Sequence, residues 1–90
     1  MQSLTEASIL RVHVKLFAQA RERVGSGEAR LELPAGSRVA DVMAALERAY
    51  PALAELRPHL AVAVDGTLAR GGDALPGDCE LALLPPVSGG

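Results

Sequence analysis

Apolar and polar residues alternate along two stretches near the start of the chain, and this pattern predicts two β-strands. The first stretch runs from Ile9 to Ala18, and the second covers residues 28–33. A period of two is typical of a strand that buries one face. The residues predicted to face the core are Leu10, Val12, Val14, Leu16, Ala29, Leu31 and Leu33. Phe17 falls on the otherwise polar face of the first strand.

Helical spacing predicts one substantial helix in the middle of the chain. The helix opens at Ser37 or Arg38, and Pro51 ends it. Its apolar residues recur at intervals of three or four and are Val39, Val42, Met43, Leu46 and Tyr50. Residues 18–24 contain good helix formers, but the segment is too short for more than one or two turns.

The second half of the chain predicts two or three further strands. An apolar run over residues 60–64 ends in Asp65-Gly66, a strong signal for a tight turn, and residues 67–69 form the return of a hairpin. Cys79–Leu84 is predicted to be the last strand. We therefore expect an α+β domain in which one main helix packs across a mixed sheet of four to five strands.

The length allows one domain and bounds its function. Of the 90 residues, 49% are hydrophobic and 22% charged, and the formal net charge is −2. We expect a domain over residues 9–84, a loose N-terminal extension over 1–8 and an extended, flexible tail over 85–90. A domain of this size buries only about 60–65% of its unfolded surface, so a large catalytic pocket is not expected.

Composition argues against several classes of function. One cysteine cannot supply a disulfide framework, a four-thiolate zinc site or an iron–sulfur cluster, so no metal site is expected. One tyrosine, one phenylalanine and no tryptophan leave no stacking platform for nucleic acid. No apolar run reaches the roughly 18 residues of a membrane span, and the start lacks the pattern of a secretory signal. We expect a cytoplasmic protein that binds neither nucleic acid nor membrane.

No catalytic constellation is evident among the side chains, and whether the chain is itself an enzyme stays open. His13 and His59 have no neighbour at the spacing of a metal ligand or of a base and its nucleophile. Cys79 enters a strand, where a cysteine is more often a small apolar filler than a redox thiol. Asp73 and Asp78 are explained as turn residues whose carboxylates bond to the backbone N–H groups two residues further on.

The most unusual segment is the C-terminal one, Leu84-Pro85-Pro86-Val87-Ser88-Gly89-Gly90. Its prolines cannot continue a strand's hydrogen-bond ladder and hold the chain extended. Its final glycines lack Cβ atoms, so the last peptide fits a slot only as wide as the backbone. Such a tail suits the delivery of a carboxylate to another protein. A frayed tail or linker and a proline-rich ligand for an aromatic groove are the alternatives.

Three segments of the chain resemble the small, sulfur-carrying subunit of molybdopterin synthase, a family of ubiquitin-like β-grasp proteins. The segments are residues 14–22 (VKLFAQARE), 39–42 (VADV) and 81–90 (LALLPPVSGG). The likeness covers about residues 10–90, and the last segment is the specific one. Carriers for thiamin thiazole synthesis share the Gly-Gly end, but they lack the Phe-Ala-x-x-Arg segment after the first strand.

The resemblance implies that Gly90 is the reacting residue. An E1-like enzyme would use ATP to adenylate its carboxylate, and a sulfur donor enzyme would convert the acyl adenylate into a thiocarboxylate. The residues that would pass into the partner are Pro86, Val87, Ser88 and Gly89. The large subunit of molybdopterin synthase would transfer the sulfur to cyclic pyranopterin monophosphate, forming the molybdopterin dithiolene. A heterotetramer of two small and two large subunits is implied, with the catalytic side chains in the large subunit and no cofactor bound permanently by this chain.

Apolar residues that the alternation leaves outward are candidates for partner contact. Phe17 is one, Leu68 follows the hairpin turn, and Leu84 points away from the inner face at the root of the tail. We expect these three to form a docking patch, as the matching positions of the family do, with scattered surface or core positions as the alternative. Arg21 matches an arginine of the family and would steer an acidic partner surface, unless it is an ordinary exposed helix residue.

Three other functions stay open. The chain would alternatively be a sulfur carrier for thiamin thiazole, cysteine or transfer-RNA thiolation, a ubiquitin-like modifier that joins Gly90 to a lysine, or a binding module with an inert tail. Lys15 is the sole lysine, which argues against chains of this protein itself.

Two residues depart from the pattern of the family that the chain resembles. Asp65 stands where the family commonly has asparagine, and Cys79 interrupts the usual turn before the last strand.

Overall fold

The computed structural model describes residues 9–85, which contain five strands, two α-helices and two short 3-10 helices. The strands are β1 (Ile9–Leu16), β2 (Glu28–Pro34), β3 (Ala61–Val64), β4 (Thr67–Ala69) and β5 (Cys79–Leu84). The α-helices are α1 (Ala18–Val24) and α2 (Val39–Ala49), and the 3-10 helices are Pro51–Leu53 and Arg57–His59. The predicted extension 1–8 and residues 86–90 of the predicted tail lie outside the described part of the chain.

The five strands form one mixed sheet in the order β2-β1-β5-β3-β4. β1 and β5 pair in parallel, from Val12 with Cys79 to Leu16 with Leu83, and the other pairings are antiparallel. Parallel strands cannot be joined by a tight hairpin. All other strands and helices therefore lie between β1 and β5 along the chain, and β5 then returns to the centre of the sheet. The predicted α+β class and mixed sheet are confirmed.

The core lies between α2 and one face of the sheet. Val14 is fully buried there, which confirms the inner face predicted for the first strand, and Leu81 and Leu83 of β5 are fully buried as well. The other members of the core are Val12, Leu16, Ala20, Leu33, Val39, Val42, Met43, Leu46, Leu53, Leu56 and Leu75. Burial of these aliphatic side chains is the main force that holds the helix on the sheet. No helix within residues 9–85 has the length and apolar content needed to cross a membrane.

The first strand ends two residues earlier than the alternation predicted. Phe17 is still extended, with φ −128° and ψ 157°, but Ala18 has a φ of 51° in the left-handed region. That conformation costs an alanine about 1–2 kcal/mol, and it turns the chain abruptly from β1 into α1. Sequence alternation could not reveal this turn, because alanine is a good helix former with no preference for positive φ.

The loop between β4 and β5 closes the N-terminus of α2. The N–H of Val39 donates to the Asp73 carbonyl at 3.0 Å, and the N–H of Ala40 donates to the Gly71 carbonyl at 2.9 Å. The Asp73 carboxylate in turn accepts from the Arg70 N–H at 2.8 Å, so Asp73 stabilises a turn as predicted, but through an N–H three residues before it and not two residues after it. The loop therefore satisfies two N–H groups that a helix leaves unpaired at its start.

A hydrogen-bonded turn fixes the β3–β4 hairpin to β5. Asp65 and Gly66 have φ values of 48° and 85°, as a two-residue hairpin requires. The Asp65 carboxylate accepts from the Glu80 N–H at 2.9 Å, and the Asp65 N–H donates to the Glu80 carbonyl at 2.8 Å. This residue therefore serves both the turn and the neighbouring strand.

We expect Asp65→Ala to lower the free energy of unfolding by about 1–2 kcal/mol, because it removes the acceptor for Glu80 and leaves a side chain that tolerates positive φ poorly. Asp65→Asn is the matched control and should stay within about 0.5 kcal/mol of the parent, since it keeps the oxygen acceptor. Urea denaturation of both variants measures the difference. Equal stability of the two variants would contradict this role.

Candidate functional site

The root of the predicted tail lies at the end of a central strand. β5 has β1 on one side and β3 on the other, and Leu84 pairs with Ala61 of β3. Pro85 follows as the last described residue and is exposed. The residues predicted to react or to enter a partner, Pro86, Val87, Ser88, Gly89 and Gly90, lie outside the described residues. Their roles stay predictions, but the place from which the tail departs is fixed.

The strand register defines the outer face of the sheet, the face turned away from α2. Leu81 and Leu83 are buried in the core, so Ala82 and Leu84 between and after them point outward. Ala63 lies between Ala82 of β5 and Leu68 of β4 in one cross-strand row. The next row joins Ala61 to Leu84. Small and branched apolar residues thus adjoin one another across three strands.

These residues, together with Phe17, form an apolar patch at the root of the tail. The apolar patch consists of Phe17, Ala61, Ala63, Leu68, Ala82 and Leu84. Phe17 follows the inward-facing Leu16 in an extended conformation, so its side chain lies on the outer face, where it is 45% exposed. Leu68 is 71% exposed, whereas Leu84 is half-buried. The structure thus places all three predicted contact residues on one face.

A depression beside the apolar patch opens at the root of the tail. It has a volume of about 310 Å³ and is lined by Phe17, Ala18, Gln19, Leu56, His59, Leu60 and Pro85. The sequence predicted Phe17 as a contact residue but not Leu56, His59 or Leu60. These three come from the irregular segment between α2 and β3, where no periodicity marks a shared surface. Only the tertiary structure brings them beside Pro85 at the root of the tail.

The remainder of the outer face, on β1, β2 and the start of β5, is the charged end, where side chains of opposite charge pair with one another. His13 bonds to Glu28, Lys15 lies 4.0 Å from Glu80, and Arg11 lies 3.8 Å from Glu32. The hydrogen bond from His13, followed by its positive charge, lowers the pKa of Glu28 below its ordinary value. Solvent-exposed pairs of this kind contribute little to the free energy of folding.

Arg21 and Cys79 lie apart from the apolar patch. The Arg21 side chain lies against Gly27. The Gly27 carbonyl accepts from the Leu16 N–H, so Gly27 extends β2, and Arg21 is on the β2 side of β1. Its predicted steering role stays a prediction. Cys79 is half-buried, and its burial, followed by the charges of Asp65 and Asp78, raises the pKa of its thiol. Within residues 9–85, no three His, Cys, Asp or Glu side chains are grouped to hold a metal ion.

Comparison with known proteins adds the decisive observation. The family model described as the ThiS family matches residues 14–90, which include the end of β1, the other four strands, both α-helices and the Gly-Gly end. The chain belongs to the ThiS family. Small archaeal modifier protein 1 of Haloferax volcanii is 40% identical over 84 residues, covering 84% of this chain and 97% of that protein. The molybdopterin synthase sulfur carrier subunit of Arabidopsis thaliana is 32% identical over 85 residues, covering 94% of this chain and 88% of that one.

The solved structure of one of these relatives confirms the fold. The crystal structure of the Haloferax volcanii small archaeal modifier protein 1 superposes with a TM-score of 0.78 at 36% identity, covering 87% of this chain and 99% of that one. The predicted ubiquitin-like β-grasp fold is therefore confirmed, as is the resemblance to molybdopterin synthase sulfur carriers. The two relatives are named for different functions, one as a modifier protein and the other as a sulfur carrier subunit. The comparisons therefore support membership of the carrier family more firmly than any single pathway.

We expect His13→Gln to raise the pKa of Glu28 toward the ordinary value, because His13 is the main cause of its depression. A depressed folded pKa contributes stability above the unfolded pKa of about 4.3, and this is lost as the pH falls through the folded value. The variant should therefore lose less stability on acidification than the parent. Carboxyl NMR titration and urea denaturation between about pH 2 and 6 measure both effects.

His59→Gln is the matched control, since His59 lies in the depression at the tail root and not beside Glu28. It should leave the titration of Glu28 unchanged. If Glu28 titrates with the same pKa in the parent and in His13→Gln, the His13–Glu28 pair is not maintained in solution.

Proposed function

We propose that this chain is a sulfur carrier whose C-terminal Gly90 carboxylate becomes a thiocarboxylate, and that it acts as the small subunit of molybdopterin synthase. The observation that carries the proposal is the exposed apolar patch on the outer face at the root of the tail. A partner that covers this patch would receive the tail in a defined direction. Membership of the ThiS family and the likeness to molybdopterin synthase sulfur carriers support the same function.

The chemistry needs activation of the carboxylate before sulfur can be added. A free carboxylate resists nucleophilic attack because its carbon is electron-rich, whereas the mixed anhydride with AMP has a good leaving group. An E1-like enzyme would form this adenylate at Gly90 from ATP, releasing pyrophosphate. A sulfur donor enzyme would then supply the sulfur nucleophile that attacks the acyl carbon, and AMP would leave. Because ATP is consumed, we place the reaction in the cytoplasm.

The tail has the reach that sulfur delivery needs. Residues 86–90 span about 17 Å when fully extended, enough to carry a terminal group from the sheet surface into a partner's interior. The glycines at positions 89 and 90 would let the chain pass a narrow channel. In this proposal the large subunit of molybdopterin synthase supplies the catalytic side chains and transfers sulfur to cyclic pyranopterin monophosphate. Two carriers bound to two large subunits would deliver the two sulfurs of each dithiolene in successive rounds.

A second candidate is protein modification, which the 40% identity to small archaeal modifier protein 1 favours. The activation step would be the same, but a lysine amine of another protein would attack the acyl adenylate or a derived thioester. Lys15, the sole lysine, lies in the cross-strand row of Ala82 on the outer face, 4.0 Å from Glu80. With one lysine as acceptor, chains of this protein itself are disfavoured, whereas attachment to other proteins is not. Sulfur carriers for other acceptors would differ only in the protein that covers the patch.

Incubation of the full chain with its activating enzyme, ATP and a sulfur donor should raise its intact mass by about 16 Da, the difference between sulfur and oxygen. Fragmentation should place the gain on Gly90. The chain lacking Gly90 is the control and should show no gain while unfolding at nearly the same temperature, since a terminal residue contributes little packing. No gain with a competent enzyme would contradict the carrier function, and adducts on lysines of other proteins would favour the modifier.

Leu68→Glu should weaken binding to the large subunit of molybdopterin synthase at least about tenfold, because it places a charge within an apolar contact. Its free energy of unfolding should change by no more than about 0.5 kcal/mol, since the side chain is 71% exposed. Calorimetric titration measures the affinity. Ile9→Glu is the matched control: Ile9 is another exposed apolar residue of the outer face, 44% exposed, but at its charged end. Equal loss of affinity in both variants would contradict docking through the patch.

A further inference from the structure

The outer edge of β2 is open to pairing. β2 is the terminal strand of the sheet, and β1 occupies its other edge. The N–H of Leu16 donates to the Gly27 carbonyl at 2.9 Å, in register with the β1–β2 ladder. Hydrogen-bonded pairs alternate in an antiparallel ladder, so residues 29, 31 and 33 direct their backbone groups toward β1. The alternate residues, 28, 30 and 32, direct theirs to the open edge.

Both ends of this open edge are closed by local hydrogen bonds. The Ser26 hydroxyl donates to the Glu28 carbonyl at 3.0 Å and accepts from the Glu28 N–H at 3.2 Å. Pro34 has no N–H, and its carbonyl accepts from the Ser37 hydroxyl at 2.7 Å and the Ser37 N–H at 3.2 Å. Within residues 9–85, the groups left over on this edge are the N–H and C=O of Arg30 and Glu32. They form an open window of two donors and two acceptors.

This window is complementary to a second copy of itself. If two β2 strands pair antiparallel about Leu31, Arg30 of each copy lies opposite Glu32 of the other. Four N–H···O bonds then form and use every donor and acceptor of both windows. The same register sets two Arg–Glu pairs on the outer face and brings the half-buried Leu31 side chains together on the inner face. An isologous contact of this kind closes after two copies.

We propose that the open edge of β2 is a self-association site, at which β2 pairs antiparallel with β2 of a second copy of this chain to form one ten-stranded sheet. Edges that resist association carry like charges or inward-pointing ones, whereas the signs of Arg30 and Glu32 attract across the two-fold axis. The contact is small, so the dimer is reversible. β1 separates β2 from β5, so the apolar patch and the tail root stay open in the dimer, and the inference does not depend on the proposed function.

The test uses charge-reversed variants of the full chain in sedimentation equilibrium over a wide range of concentrations. Arg30→Glu and Glu32→Arg should each dimerise at least about tenfold more weakly than the parent, because two attractive pairs become repulsive. An equimolar mixture of the two variants should associate again, since every pair in the mixed dimer is then of opposite sign. The double variant Arg30→Glu with Glu32→Arg should also recover. Arg70→Glu changes the net charge equally at the opposite edge of the sheet, beyond β4, and should dimerise as the parent does.

Amide exchange and concentration-dependent NMR shifts of the parent identify the surface independently of any variant. Protection at Arg30 and Glu32 that grows with concentration supports the proposal. A chain that stays monomeric to about 1 mM with no shifts at these amides overturns it, as does a dimer whose shifts lie in the apolar patch. The charge reversals alter only exposed ion pairs, which contribute little to folding, so both single variants should stay folded. If the two folded variants fail to associate when mixed, the proposal is overturned.

Discussion

The parallel pairing of β1 with β5 is the constraint on which the rest of the structure depends. It runs from Val12 with Cys79 to Leu16 with Leu83 and seats the last strand in the middle of the sheet. Leu81 and Leu83 are then fully buried under α2, and both edges of β5 are filled by neighbouring strands. The tail root is held by the best-packed part of the domain. A tail that began on an edge strand would have no comparable anchor, and its direction would depend on the least stable part of the sheet.

The same pairing divides the outer face into two unlike halves. At one end, charges from β1, β2 and β5 pair with one another across the strands. Toward the tail root, Leu68 of β4 is exposed beside Ala63, and the left-handed Ala18 ends β1 while leaving Phe17 outward. An apolar surface that faces water and is bordered by satisfied charges favours a partner that covers the apolar half only. The division therefore suits the proposed docking, since it provides both a place and an orientation for a partner.

Local pattern was enough to predict the elements and the inner face, because a half-buried strand and an amphipathic helix must repeat with their own periods. It also singled out Phe17, Leu68 and Leu84, which break the alternation or stand where it turns outward. What it could not supply are contacts between distant segments. Asp78 was predicted to bond within its own turn, but its carboxylate accepts from the Arg11 N–H at 2.8 Å and ties the start of β5 to β1. The depression formed with His59 and the open window at Arg30 likewise depend on which strands lie at the centre and which at the edge.

Joint action of the apolar patch and the tail is tested most directly by amide NMR of the isotope-labelled chain titrated with its large subunit or its activating enzyme. The largest shifts should lie at Phe17, Leu68 and Leu84 and extend into residues 86–90, while the amides of Arg30 and Glu32 change little. A shift map centred on α2 or on β2, with the apolar patch unaffected, would contradict the account, because the tail would then enter a partner that does not touch the surface from which it departs.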